Sequence, residues 1–303
     1  MPNYTLSDDF SAKSKTLLTK DLDQKAVISS DTVAAVLADM NIEIGTLMIM
    51  LLPTAASYAR TPISNYNVGA VSLGMPPGSL YLGSNMEFPG QALSFCVHGE
   101  QSATINAWLN GETGLQALAI NAAPCGYCRQ FLYELTTATK GFNILLKKNT
   151  DPKDYSYSLQ PLTYYLPDAF GPGDLGIKGG LMEPESHGMT ISGGDALAQA
   201  ALVAANASYA PYTKDFSGVA LQTSSGDVFA GRYAENAAYN PSMSPLEAAL
   251  AYLNMHRPQQ VSYDITAAVL VEHAGATTSQ LSATTDVLRS VAPNITLQYF
   301  SAT

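Results

Sequence analysis

Charge is scarce in this chain, and positive charge is scarcest. Lys and Arg number 15 against 25 Asp and Glu in 303 residues, so charged side chains are 13% of the total and the formal net charge is −10. Soluble domains usually carry about a quarter charged residues. The acidic balance argues against a polyanion as the main ligand, since holding phosphates takes clustered Lys and Arg, and no nucleic-acid partner is expected. Hydrophobic content of 47% beside so little charge also excludes disorder. Long apolar runs are missing as well. The uncharged stretch between Glu43 and Arg60 is interrupted by Pro53, and the one from Ala196 to Thr213 carries Gln199, Asn206, Ser208 and Pro211. A membrane span needs about 20 apolar residues. Asp8, Asp9, Lys13 and Lys15 stand where a signal peptide would be apolar, so the expectation is a cytoplasmic protein without membrane contact. Cysteine is nearly absent: Cys96, Cys125 and Cys128 are the only 3. That excludes a disulfide framework, and in a reducing compartment a close Cys pair points to metal or redox chemistry.

What the chain does have is a repeat. Residues 57–70 resemble residues 208–220 at an offset of about 150, and the likeness stays in order well beyond them. Each segment leads into a turn, an alternating apolar run, and a patch bearing Asn and Glu (84–87 in one half, 233–236 in the other). An Ala-rich helical run follows, at 100–109 and at 246–253. In the first half, periodicity predicts strands at 65–73, 79–86, 115–121 and 142–147, with a helix over 125–136. In the second it predicts strands at 218–223, 228–233, 265–272 and 295–300, with helices at 244–255 and 279–291. Strands alternating with helices in this way imply an α/β fold of duplicated three-layer α/β/α units. Ahead of them lies a small helical part, with Asp31 as the N-cap of a helix over 32–40 and a second helix before Pro53. The expected organisation is a helical part over 1–47, a catalytic unit over 48–150, a linker over 151–193 and a degenerate repeat over 194–303. The linker stretch, rich in Pro, Gly and Tyr, reads as a connection rather than a core element.

The chemistry-bearing residues lie in the first unit. His98-Gly99-Glu100 opens one helical run and Pro124-Cys125-Gly126-Tyr127-Cys128 opens the next. A Cys-x-x-Cys turn at a helix N-terminus can grip one ion, and the helix dipole favours the thiolates. With His98 the set becomes His/Cys/Cys, three ligands for tetrahedral zinc with a fourth position open to water, as catalytic sites require. In a regular helix, residues two apart point to nearly opposite sides, so His98 and Glu100 can share a target only at a helix end. Held there, Glu100 would act as proton shuttle rather than ligand. A closed structural zinc site would need a fourth Cys or His, and only Cys96 is near. A redox pair would leave His98 and Glu100 without a task. Cys96 reads as a small buried hydrophobe, and His187, His256 and His273 carry no partner spacing.

His-x-Glu followed by Pro-Cys-x-x-Cys is the signature of zinc deaminases. On that block, on Ser84-Asn85-Met86-Glu87-Phe88, and on the run Tyr165 to Pro172, the chain resembles the cytidine deaminases, in particular their long two-unit homodimeric bacterial class. The resemblance implies hydrolysis of free cytidine and 2′-deoxycytidine to the uridine forms with release of ammonia, in pyrimidine salvage. It further implies one zinc per subunit on His98, Cys125 and Cys128, with Glu100 as proton donor and acceptor. Asn85, Met86 and Glu87 become the substrate-binding set, with Asn85 and Glu87 on the ribose. Tyr66 stands where the family usually has a Phe against the pyrimidine, and Phe170 matches an aromatic that reaches into the pocket of the second subunit. Gly99 departs from the usual Ala between His and Glu. In the second unit Ser244-Pro245-Leu246 replaces the His-Gly-Glu triplet, Tyr233 replaces Asn85, and no cysteine is available, so that unit cannot build the zinc site. It is expected to serve as scaffold. A base deaminase acting on nucleic acid and a non-catalytic nucleoside binder are the rival readings. The acidic charge argues against the first and the intact Glu100 against the second.

Overall fold

In the computed structural model, residues 4–256 and 263–303 are described. The first stretch carries α1 (Ala12–Leu22), β1 (Val27–Ile28), α2 (Ser30–Met40), α3 (Ile44–Met50) and α4 (Leu52–Ala56). The first unit follows with β2 (Gly69–Gly74), β3 (Leu80–Ser84), α5 (Gly99–Leu109), β4 (Leu115–Ile120), α6 (Gly126–Tyr133) and β5 (Asn143–Lys147). Next come β6 (Tyr157–Pro161) and α7 (Leu162–Tyr165). The second unit holds α8 (Ala196–Asn206), β7 (Ser217–Thr223), β8 (Val228–Arg232), α9 (Pro245–His256), β9 (Ile265–His273), α10 (Leu281–Val291) and β10 (Leu297–Ala302).

The first sheet runs β1-β3-β2-β4-β5-β6 and the second β10-β9-β7-β8. Stripped of its outer strands, the first has the order β3-β2-β4-β5, the same as β8-β7-β9-β10 in the second. In both, the hairpin is antiparallel and the last two strands are parallel. A parallel pair needs a crossover, and α6 and α10 supply it. The duplication extends to local irregularities. The first strand of each hairpin shifts register near its end, at Leu73/Gly74 and at Gln222/Thr223. Gly83 and Gly231 each let a helix backbone close in: a Cβ there would stand 2.1 Å from the Ala103 amide nitrogen and 2.2 Å from that of Ala249.

The layers explain why the central strands read as apolar runs. Leu18, Leu22, Leu47 and Leu52 pack on one face of the first sheet against Val71, Leu80 and Leu82. α8 covers the outer face of the second, with Ala198 and Ala201 in one cluster with Val269 and Val271 of β9. Between the sheets lie α5 and α9, where Ile105, Leu118, Leu246, Leu250 and Leu270 belong to one continuous core. At this seam the Arg232 guanidinium stacks 3.8 Å from the centre of the Trp108 ring and donates to the Trp108 carbonyl at 2.7 Å. Strands covered on both faces need apolar residues throughout. No single described helix is long and apolar enough to cross a membrane.

Four expectations change. The N-cap of α2 is Ser29, whose side chain accepts from the Thr32 amide, and Asp31 lies within the first turn. The strand expected over 65–73 starts only at Gly69, because Asn65 adopts φ 56° and side chains take the amides before it. The part expected to be helical also supplies β1, which pairs with β3. The stretch expected as a linker supplies β6 at the sheet edge and buries Leu162, Leu181 and Met182. Tyr157–Pro161 does alternate polar and apolar residues, but the apolar ones find no core, with Leu159 among the exposed hydrophobics; the strand is held at the edge by its backbone.

The two middle helices start alike. Gln101 accepts from the His98 amide at 3.1 Å, and Glu247 accepts from the Ser244 amide at 2.9 Å. Glu247 is buried, and burial pushes its carboxyl up from 4.5 to about 7. Its pKa is higher folded than unfolded, so the native state has its full stability below the unfolded value and loses it as pH rises through the folded one. Glu247→Gln, which copies the first unit, should therefore gain up to about 3 kcal/mol on the parent between about pH 4 and about pH 8. Urea unfolding of both proteins at the two pH values reads that gain.

Candidate active site and metal centre

Two helix starts converge on one pocket. His98 is the N-cap of α5 with an extended backbone (φ −88°, ψ 157°), so its side chain leaves the helix at the end rather than along a flank. Gln101 takes the cap hydrogen bond, which leaves the imidazole ring for other partners. Cys125 is likewise the N-cap of α6 (φ −69°, ψ 166°), and Cys128 is that helix's third residue. Arg129 fixes this turn by donating from Nε to the Pro124 carbonyl at 2.8 Å and from Nη1 to the Tyr165 carbonyl at 2.9 Å.

His98 Nδ1 lies 3.6 Å from Cys125 Sγ and 3.2 Å from Cys128 Sγ. The three ligand atoms all fall within 4.8 Å of one another. A tetrahedral zinc with Zn–S near 2.3 Å and Zn–N near 2.0–2.1 Å requires N···S separations of about 3.5 Å. The donor set and its spacing therefore fit the ion. The Cys128 thiol and the amides of Cys128 and Tyr127 stabilise the Cys125 thiolate, whose pKa falls to about 5. Cys128, buried and paired with that thiolate, moves well upward.

Glu100, the second residue of α5, is 3% exposed. Burial raises its carboxyl pKa, more than the neighbouring His98 lowers it. The pocket of about 210 Å³ is lined by Glu100, His98, Gly99, Asn85, Glu87 and Tyr66, with Met86 beneath. Met86 is fully buried and exchanges backbone hydrogen bonds with Val97 at 2.8 and 2.9 Å, which sets Asn85 and Glu87 on either side of it. Asn85 accepts from the Val68 amide at 2.8 Å and donates to the Tyr66 carbonyl at 2.9 Å. Glu87 accepts from the Ile63 and Ser64 amides at 2.8 and 3.0 Å and from the Ser64 hydroxyl. Burial works against its charge, but these hydrogen bonds prevail and hold its pKa below the usual carboxylate value. Both side chains thus fasten the loop that carries Tyr66, which is 60% exposed at the mouth of the pocket.

Phe170 does not line this pocket. It is 46% exposed, on a loop whose carbonyl at Phe170 accepts from Gln130 Nε2 at 2.8 Å. Cys96 is half-buried rather than buried, and it lines the pocket wall. Sequence reasoning passed over Val68, Gln101 and Arg129. Gln101 had a signal, the glutamine three residues after a cap. Val68 had none: it matters because a Cβ on Gly99 would stand 2.9 Å from Val68 Cγ1, so the glycine lets the valine rest on the start of α5.

In the second unit Ser244 stands at the helix start where His98 stands in the first, and Gln280 is the N-cap of α10 where Cys125 caps α6. Asp215, Glu272 and Gln280 fill that corner with mutual polar contacts instead of a metal set.

The chain is similar in sequence to known proteins along most of its length. Family models for the cytidine and deoxycytidylate deaminase zinc-binding region match residues 25–142 and residues 162–285. The cytidine deaminase of Vibrio cholerae serotype O1 (strain M66-2) is 46% identical over 285 residues, covering 94% of this chain and 92% of its own. That of Aliivibrio fischeri is 43% identical over 277 residues, covering 91% and 89%. Among solved structures, cytidine deaminase from Burkholderia pseudomallei is similar at 27% identity and a TM-score of 0.35, over 41% of this chain and 97% of that one. With a zinc-binding family matched in both halves and curated relatives spanning nearly its whole length, this chain belongs to the cytidine and deoxycytidylate deaminase family.

Proposed function

We propose that the protein hydrolyses free cytidine and 2′-deoxycytidine to uridine and 2′-deoxyuridine, releasing ammonia, and so serves pyrimidine salvage. The observation that carries this reading is the buried Glu100 carboxyl, which shares its pocket with His98 and lies against Cys128, beside the His98/Cys125/Cys128 set but outside it. A nucleoside binder or a structural zinc site has no need of such a group.

His98, Cys125 and Cys128 hold the zinc, which when bound supplies a water that gives up a proton near neutral pH. Glu100 takes that proton as the water's oxygen adds to C4 of the cytosine, and passes it to N3. It then moves the proton of the new C4 hydroxyl to the 4-amino group, so that the C4–N4 bond breaks, ammonia leaves and the C4 carbonyl forms. The overall change is cytidine plus water to uridine plus ammonia. Burial suits Glu100 to this work, because a raised carboxyl pKa makes a better proton acceptor. Glu87 and Asn85 keep unused lone pairs after fastening the Tyr66 loop, and these accept from ribose hydroxyls. Tyr66 covers the base. The exposed Phe170 reaches the pocket of a second copy in a homodimer, and the protein works in the cytoplasm. The second unit, without metal ligands, supports the first.

Glu100→Gln should keep about one zinc per chain while kcat on cytidine falls by about a thousandfold or more. Ammonia release beside metal analysis measures both, and near-normal turnover would remove Glu100 from the proton path. Cys125→Ser should lose both zinc and activity, as should the parent after exhaustive chelation, with activity returning when zinc is added back. Free cytidine should be deaminated far faster than cytosine in a single-stranded oligonucleotide, given a net charge of −10. A faster oligonucleotide reaction would move the substrate to nucleic acid.

A further inference from the structure

The second unit keeps the loop that in the first unit carries the substrate-binding residues. Backbone bridges fix the equivalence: Arg60 pairs with Met86 in one unit and Tyr209 with Ala234 in the other. Glu235 therefore occupies the position of Glu87, and it makes the same bonds. Its carboxylate accepts from the Tyr212 and Thr213 amides at 2.8 and 3.3 Å and from the Thr213 hydroxyl. A loop with no ligand to bind has nevertheless kept its internal fastening, so something else depends on its shape.

That something is α6, the helix that carries Cys128. Glu134 caps its C-terminal end and is 1% exposed. The carboxylate accepts from the Tyr209 hydroxyl at 2.8 Å, from the Tyr212 hydroxyl, and from the Ala237 amide at 2.9 Å. All three donors belong to the second unit, Tyr209 and Tyr212 to the segment before β7 and Ala237 to the segment after β8 that Glu235 fastens to it, and none is a cation. One turn earlier, the Gln130 carbonyl accepts from Asn236 Nδ2 at 2.9 Å. A buried carboxylate is costly unless its oxygens are satisfied, so this position is strongly determined by the loop that supplies the donors. Among the described residues, the mirror-image corner shows no buried carboxylate taking donors in this way. There the first unit's loop meets α10 through Gln91 Nε2 and the Asp286 carbonyl at 3.0 Å, beside an open cleft of about 340 Å³ lined by Arg60, Glu87, Tyr263 and Val291.

We propose that the second unit's former substrate loop is a clamp on the cysteine helix, with Glu134 as the positioning residue through which it holds the metal ligands in place. α6 is only 8 residues long, so fixing its far end fixes the direction in which Cys128 enters the site. At its near end Arg129 holds the Cys125 turn. The degenerate unit thereby contributes to metal retention without touching metal or substrate. This inference rests on the deaminase reading for its purpose but not for its test.

The experiment follows zinc moving from the folded, zinc-loaded full-length protein to an excess of a chromogenic chelator, well below the unfolding temperature. Glu134→Gln, which puts an amide group among three donors, should speed release by about tenfold or more, as loss of outer support does at other metal sites. In cytidine deamination kcat should fall with KM unchanged, because no substrate contact is altered. Val269→Ala, in the second unit's core on the face away from α6, is the control for general destabilisation. It should lower the unfolding temperature and leave zinc release at the parent rate. If Glu134→Gln does not fold, Tyr212→Phe, which removes one of the three donors, takes its place in the comparison. Release at the parent rate from the clamp variant would overturn the proposal, as would equal acceleration by Val269→Ala at a matched loss of unfolding temperature. The zinc readout decides the matter whether or not cytidine is the substrate.

Discussion

The active site depends on a helix starting at one place and no other. His98 and Glu100 reach the same pocket only because α5 begins between them, with His98 outside the helix and Glu100 in its first turn. The start is set by Gln101 on the His98 amide and by Gly83, which lets the helix settle with the Ala103 backbone almost on the strand. Val68 rests on Gly99 from the other side. Candidate metal ligand, proposed proton carrier and packing are thus one constraint expressed at three scales.

The two halves show which residues that constraint concerns. Gly231, Glu247 and Glu235 repeat Gly83, Gln101 and Glu87, and each makes the same kind of contact. These are residues that shape the unit. Ser244, Gln280 and Tyr233 replace His98, Cys125 and Asn85, and those are residues that face the pocket. A duplicated chain separates the two roles within one molecule, without recourse to other sequences. Glu87 falls on the shaping side by this criterion, although it also looks into the pocket.

Much of this was legible in the sequence because the informative patterns are local. A His and a Glu two apart, a Cys pair at a helix start and a hairpin with a Pro/Gly turn all declare themselves within a dozen residues. The features that were not legible are those that a distant segment imposes. Tyr157–Pro161 becomes a strand because β5 offers it an edge, and the alternation of its residues matches no buried face. Residues 65–68 have strand-like composition, but Asn85 and Glu87 seize the loop's amides and hold it open. Ser29 caps α2 in place of Asp31, a shift of two residues between equally good capping types. The support of α6 by Tyr209, Tyr212 and Ala237 joins positions more than 70 residues apart, where no local pattern reaches.

The stacked pair at the seam has a use of its own. Trp108 is the chain's sole indole, and it is 2% exposed under the Arg232 guanidinium of the other unit. Its emission therefore comes from a single, dry, cation-covered environment. Parting of the two halves would admit water and withdraw the cation together, so the seam carries a built-in optical label that distinguishes undocking from loosening elsewhere.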